Sequence, residues 1–135
     1  MNPDRKPTVT RVRPDKETTT KQKLAYFRGI SGATAGATRL SMNLAVVPPG
    51  GFAEPHYHKD FEAAIYLLEG RVETRFGEGL KESVITEKGD FLFIPAGVPH
   101  QPFNLSQTEP AVAIVARNDP SEQENVVLYP ATKEN

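Results

Sequence analysis

The chain has 135 residues, no cysteine, and 16 Lys and Arg against 17 Asp and Glu, for a net charge of −1. That length fits one domain of ordinary size, enough for a closed β-barrel and too little for two independent cores. Lack of cysteine removes disulfides, thiolate metal ligands and cysteine nucleophiles, and the balanced charge provides no global field to draw the chain to nucleic acid or an anionic membrane. The start, Met1-Asn2-Pro3-Asp4-Arg5-Lys6, is polar instead of apolar, and no stretch approaches transmembrane length; a cytoplasmic location with no membrane partner is therefore expected.

Residues 1–23 carry seven Lys or Arg against three Asp or Glu, with Pro3, Pro7 and Pro14 and few large apolar side chains. Such an arm cannot bury a core of its own. In residues 8–13, Val9 and Val12 alternate loosely with polar residues, so this piece is expected to pair as an added edge strand, on its own sheet or exchanged with a partner in a homodimer. From residue 24 to residue 135 the pattern becomes one of short strands, expected at 39–47, 53–58, 63–68, 72–76, 83–86, 91–94, 100–103, 112–117 and 126–129. Between them lie Pro48-Pro49-Gly50-Gly51, Glu69-Gly70, Gly77-Glu78-Gly79, Lys88-Gly89-Asp90 and Asp119-Pro120-Ser121, each with turn chemistry. This spacing predicts an all-β antiparallel sandwich or barrel. No run of ten or more residues carries a helical stripe, and a short turn is expected only at 121–124.

Within residues 72–76, Val72, Thr74 and Phe76 share one face and Glu73 and Arg75 the other, so Arg75 belongs to a solvated ladder and is assigned no catalytic role. Residues 91–94 read Phe-Leu-Phe-Ile, apolar on both faces. One face is expected to line the interior and the other to meet a second sheet or a second subunit.

All three histidines of the chain lie in two places, His56 and His58 as an H-x-H pair and His100 in a proline-framed turn. Strand residues two apart share a face, so His56 and His58 can grip one ion from the same side. Glu62 follows as a possible carboxylate ligand. Pro95 and Pro99 fix their φ angles and Gly97 permits one that other residues resist, so the turn presents His100 with little freedom. Asn104 is expected to tie the following turn through its side-chain amide. Tyr66 has the strand parity of Glu62 and would reach the interior if Glu62 does, as a candidate catalytic phenol or a core tyrosine. Glu54 shares parity with His56, as an interior or rim carboxylate. Asp60 and Lys59 are turn residues with no assigned role.

The stretch from Gly50 through His56, His58 and Glu62 to Gly70, and the stretch from Gly89 through Pro95, Gly97 and His100 to Asn104, resemble the two motifs of the cupin superfamily, G-x5-H-x-H-x3-E and G-x5-P-x-G-x2-H-x3-N. The resemblance spans residues 39–117 and implies a double-stranded β-helix or jelly-roll barrel of the small single-domain kind. By the same resemblance one divalent transition-metal ion, Fe, Mn, Ni, Co, Cu or Zn, is held by His56, His58, Glu62 and His100. One spacing departs from the pattern. The gap from Glu62 to Gly70 is a residue longer than usual, so Ala63 occupies the place where the glutamate more often stands. Either a different hairpin absorbs the shift and Glu62 still coordinates, which is the expectation, or three histidines hold the metal with Glu62 behind them.

The sequence shows no nucleophile elbow, P-loop or dinucleotide fingerprint, and each histidine is already assigned to the metal, so any chemistry runs through the ion. The resemblance makes a dioxygenase-type oxidoreductase acting on a small oxygenated organic substrate the leading expectation. Redox-neutral isomerase, lyase or cyclase chemistry with the ion as Lewis acid, and a non-catalytic metal- or ligand-binding barrel, are the alternatives.

Overall fold

The computed structural model describes residues 7–14, 17–19, 23–121 and 125–130. Its strands are β1 (Glu17–Thr19), β2 (Ala25–Ile30), β3 (Ser41–Val47), β4 (His56–His58), β5 (Ala63–Glu69), β6 (Arg71–Phe76), β7 (Glu82–Glu87), β8 (Phe91–Ile94), β9 (His100–Asn104), β10 (Ala111–Arg117) and β11 (Val126–Leu128). One short helix, α1 (Gly32–Ala35), follows β2 and is capped by the Ser31 side chain. Two antiparallel sheets result, one ordered β1-β2-β3-β10-β5-β8 and the other β11-β4-β9-β6-β7. From β3 to β6 and again from β7 to β11, each successive strand crosses to the opposite sheet. That alternation is the jelly-roll arrangement of the cupin fold, as the motifs implied.

Turn chemistry sets these crossovers. Gly70 turns the chain from β5 into β6 with φ +101°, and a Cβ there would lie 2.9 Å from Ala111. Only glycine satisfies both demands.

The interior is divided along its length. At one end Leu24, Tyr26, Ala45, Val47, Ala53, Leu67, Val72, Ala111 and Val115 pack into a buried apolar core between the sheets. At the other end the inward positions turn polar: Ser41 and Asn43 on β3, Arg117 on β10, and His56, His58 and His100 on β4 and β9 are all buried. Alternation along each strand decides which residues take these places, since β3 buries every second residue from Ser41 to Val47.

Two expectations about the periphery need correction. The edge strand contributed by the arm is β1, which pairs antiparallel with β2 of the same chain, whereas residues 8–13 form no strand and Val9 is exposed. The Glu17–Thr19 stretch pairs because β2 offers it an open edge. Strand β2, absent from the expected set, is the other difference. Its Gly29 and Arg28 blur an alternation that Tyr26, buried at the apolar end of the interior, nonetheless obeys. The turn expected at 121–124 lies largely outside the described residues.

The outward face of the six-stranded sheet is apolar. Cross-strand pairing aligns Phe27, Leu44, Ile114, Tyr66 and Phe91 in one row over β2, β3, β10, β5 and β8. Phe91 is 80% exposed and Phe93 59% exposed.

Candidate metal centre

The β4–β9 pairing places His56 directly opposite His100, and His58 shares the inward face with His56. The ring centroids lie 4.3 Å apart for His56 and His100, 5.2 Å for His56 and His58, and 5.7 Å for His58 and His100. One nitrogen from each ring falls within 4.8 Å of the others, and all three side chains are buried. Among the described residues this is the one such group.

Local geometry fixes how the rings point. The Nδ1 of His56 lies 2.8 Å from the Glu54 carbonyl and that of His100 lies 2.9 Å from the Val98 carbonyl. A carbonyl only accepts, so each Nδ1 carries the proton and each Nε2 keeps its lone pair. His58 Nε2 is buried with no hydrogen-bond partner. The His100 turn is fastened from both sides. Gly97, at φ +78°, donates its N–H to the His58 carbonyl at 2.9 Å, coupling the turn to the H-x-H strand. Beyond His100, the Asn104 amide donates to the carbonyls of Val47, Pro48 and Glu109, while its oxygen accepts from the Ser106 N–H. This is the turn-tying role that its place in the sequence suggested.

Burial and neighbouring positive charge make all three imidazoles poor bases. Desolvation, with His100 and Arg117 nearby, lowers the His56 pKa from 6.5 to about 3. Desolvation and Arg117 lower that of His58 to about 2. Desolvation lowers that of His100 to about 4, against the raising effect of its bond to Val98. At neutral pH all three rings are uncharged, the state a metal ion requires of them.

The other candidates lie elsewhere. Glu62 is exposed ahead of β5, its backbone N–H donating to Asn118, and its carboxylate is not part of the histidine group. Ala63 is the buried residue at that level. The extra residue before Gly70 is thus not absorbed by the hairpin, and it puts Ala63 into the inward register. Tyr66 is on the outward face, its ring 4.7 Å from that of Phe91. It shares parity with Glu62, as expected, but the shared direction is away from the interior. Arg75 is exposed, 3.6 Å from Glu73 and over the Phe103 ring, in keeping with a solvated ladder. Glu54 contributes its carbonyl to His56.

Sequence reasoning missed Arg117. It is 6% exposed, donates from Nη2 to the Tyr26 hydroxyl at 2.8 Å, and is close enough to lower the basicity of all three histidines. The signal was available in the parity of β10, where Ala111, Ala113, Val115 and Arg117 share the inward face.

A cavity of about 250 Å³ opens beside His100, between the edge strands β7 and β8. Phe76, Val84, Leu92, Ile94 and Val98 make its wall apolar, with the Thr74 hydroxyl as one polar exception.

A family model described as a cupin domain matches residues 43–117, and the chain belongs to the cupin family. It is 28% identical over 118 residues to the polyketide synthase CurC of Streptomyces cyaneus, across 78% of this chain and 75% of that protein. It is also 35% identical over 68 residues to the quercetin 2,3-dioxygenase of Escherichia coli strain K12, across 50% of this chain and 29% of that one. Among solved structures, the polyketide cyclase RemF from Streptomyces resistomycificus superposes with a TM-score of 0.69 at 23% identity, over 90% of this chain and 85% of that one. Oxalate decarboxylase from Lactobacillus farciminis gives 0.70 at 19% identity, over 84% of this chain and 33% of that one. At these identities the two structures bear on the fold alone. Among the described residues, no helix is long and apolar enough to cross a membrane.

Proposed function

We propose that this cupin binds one divalent transition-metal ion through His56, His58 and His100 and serves redox-neutral chemistry, of the isomerase, lyase or cyclase kind, on a small oxygenated organic substrate. The observation that carries the proposal is the convergence of three buried, uncharged imidazoles, with Nε2 of His58 left without a partner. A buried polar atom in that state is costly unless something binds it. Imidazole nitrogen suits Fe, Mn, Ni, Co, Cu or Zn.

The donor set favours Lewis-acid over oxygen-activating chemistry. Oxygen-activating ferrous sites are commonly built on two histidines and a carboxylate, and among the described residues no carboxylate joins the three rings. A bound ion would supply polarisation of a substrate carbonyl. The residues of the chain do the rest. The carbonyls of Glu54 and Val98 orient His56 and His100, the Gly97 and Asn104 hydrogen bonds hold the turn, and the apolar wall beside His100 takes the hydrocarbon part of a substrate and excludes water. Likeness to CurC over most of both chains supports a polyketide-like substrate, a carbon skeleton rich in carbonyls.

The dioxygenase reading is second, supported by the 35% identity to the quercetin 2,3-dioxygenase. Glu62 and Tyr66 fall outside the proposed machinery in both. Metal analysis of protein purified without chelators should give one ion per chain, lost in His56→Ala and His100→Ala. Metal-loaded protein given a β-diketone in an oxygen-electrode cell should transform it without oxygen uptake. Stoichiometric uptake would move the protein to the second reading, and a full metal complement with no turnover of carbonyl substrates would favour the non-catalytic barrel.

The homodimer expected from the sequence is part of the same proposal, with a second copy covering the apolar row Phe27, Leu44, Ile114, Tyr66 and Phe91. Exposed aromatic surface of this kind commonly marks an interface.

A further inference from the structure

Among the described residues, the buried side-chain nitrogens and oxygens without a hydrogen-bond partner are Ser41 Oγ, Asn43 Nδ2, His58 Nε2, Arg117 Nε and Arg117 Nη1. They are not scattered. Arg117 faces Ser41 directly in the β3–β10 pairing, and Asn43 lies two residues from Ser41 on the same inward face. Side chains opposite one another in such a pair are within contact range. The His58 atom belongs to the facing sheet, and Arg117 acts electrostatically on His58, His56 and His100. All five atoms therefore belong to the polar end of the interior.

Apart from the histidine nitrogen, these atoms are donors or, for the serine hydroxyl, able to donate. The Asn43 amide is oriented by the Gly29 N–H, which donates to its oxygen at 2.8 Å and leaves Nδ2 directed elsewhere. Arg117 is 94% out of solvent, and none of the ion pairs among the described residues includes it. The buried carboxylate nearest in sequence, Asp119, accepts from Ser121 and Asn125. Across β5 and β10, Arg117 faces Ala63, where a glutamate would have supplied a counter-charge. A buried guanidinium without a carboxylate is strongly unfavourable, and a divalent ion beside it would add further positive charge.

We propose that Arg117, Asn43 and Ser41 form a receptor for a ligand carboxylate at the polar end of the interior, on the sheet that faces the three imidazoles. The inference deepens the functional reading above and rests on it for placing the ligand beside the histidines. Nε and Nη1 of Arg117 point to opposite sides of the guanidinium, and either one, together with the second N–H of Nη2, makes a fork that grips the two oxygens of a carboxylate. Tyr26 holds the other N–H of Nη2, and Asn43 and Ser41 supply lateral donors. The ligand class is thus a small organic acid, its apolar part directed to the cavity beside His100.

The test uses chelator-treated full-length protein in low-chloride buffer, titrated with benzoate and with its neutral counterpart benzamide, by calorimetry and thermal melting. Benzoate should bind and raise the melting temperature, and benzamide should do neither. Arg117→Met should fold at least as stably as the parent, because it removes an uncompensated charge, and should bind benzoate about thirtyfold more weakly or worse. Asn43→Asp can still accept from Gly29 and places a carboxylate beside Arg117. It should melt higher than the parent and lose its response to benzoate. Equal binding of benzoate and benzamide, undiminished benzoate binding in Arg117→Met, or an unchanged benzoate response in Asn43→Asp would overturn the receptor. Metal uptake measured on the same proteins before chelator treatment separates the two ideas. Benzoate binding through Arg117 in a protein that takes up no metal sinks only the metal reading, while stoichiometric metal with benzoate binding indifferent to Arg117 sinks only the receptor.

Discussion

Ala63 and Arg117 face each other across the β5–β10 pairing, both buried. A methyl group thus stands opposite a guanidinium at the level of the three histidines. The pairing gives the centre its distinctive electrostatics, because uncharged imidazoles and a cation meet there, and among the described residues no carboxylate joins the histidines and none forms an ion pair with Arg117.

Ala63→Glu should return a carboxylate to that register. Metal affinity, read by competition with a chromophoric chelator, is expected to rise about tenfold or more. Glu62→Ala should leave the affinity unchanged, since that side chain is exposed and outside the histidine group. A large loss of affinity in Glu62→Ala with no gain in Ala63→Glu would restore Glu62 as a ligand.

Acid should destabilise the metal-free protein through its histidines. Each folded pKa, about 3, about 2 and about 4, lies below the ordinary 6.5, so on acidification the unfolded chain takes up protons first. Stability is fully present above pH 6.5, falls as the pH drops below it, and goes on falling until the folded rings themselves protonate from about pH 4 downward. Each histidine contributes a slope of about 1.4 kcal/mol per pH unit in this window. Urea melts between pH 7 and 5 should show the slope, and His58→Gln should remove about one histidine's share.

Asn104→Ala should cost about 2–4 kcal/mol in urea unfolding, because three carbonyls and one N–H lose a partner in a buried turn. Metal affinity should fall with it, since the same turn follows His100. Stability unchanged within error would show that water replaces the amide without penalty.

Phe91→Glu should convert the proposed dimer to monomer in sedimentation velocity, with the metal content retained. Phe91 is 80% exposed at the edge of the apolar row. A parent protein that sediments as a monomer would remove the interface outright.

Much of this protein was legible in its residues. The H-x-H pair and the Pro95-Gly97-Pro99 turn act through local geometry, a shared strand face and a φ of +78°, and the resemblance that they and Asn104 carry to the cupin motifs implied both the fold family and the convergence of His56, His58 and His100. Strand pairing decided the rest. A shift of one residue exchanges the two faces of a strand, so the sequence left open whether Glu62 or Ala63 points inward, and the β5 register with β8 and β10 settled it for Ala63, carrying Tyr66 to the outside. Arg117 lies 17 residues beyond His100, and only the packing of one sheet over the other brings it to the histidines. Contacts of that kind depend on which strands become neighbours, a property of the whole chain that no short motif encodes.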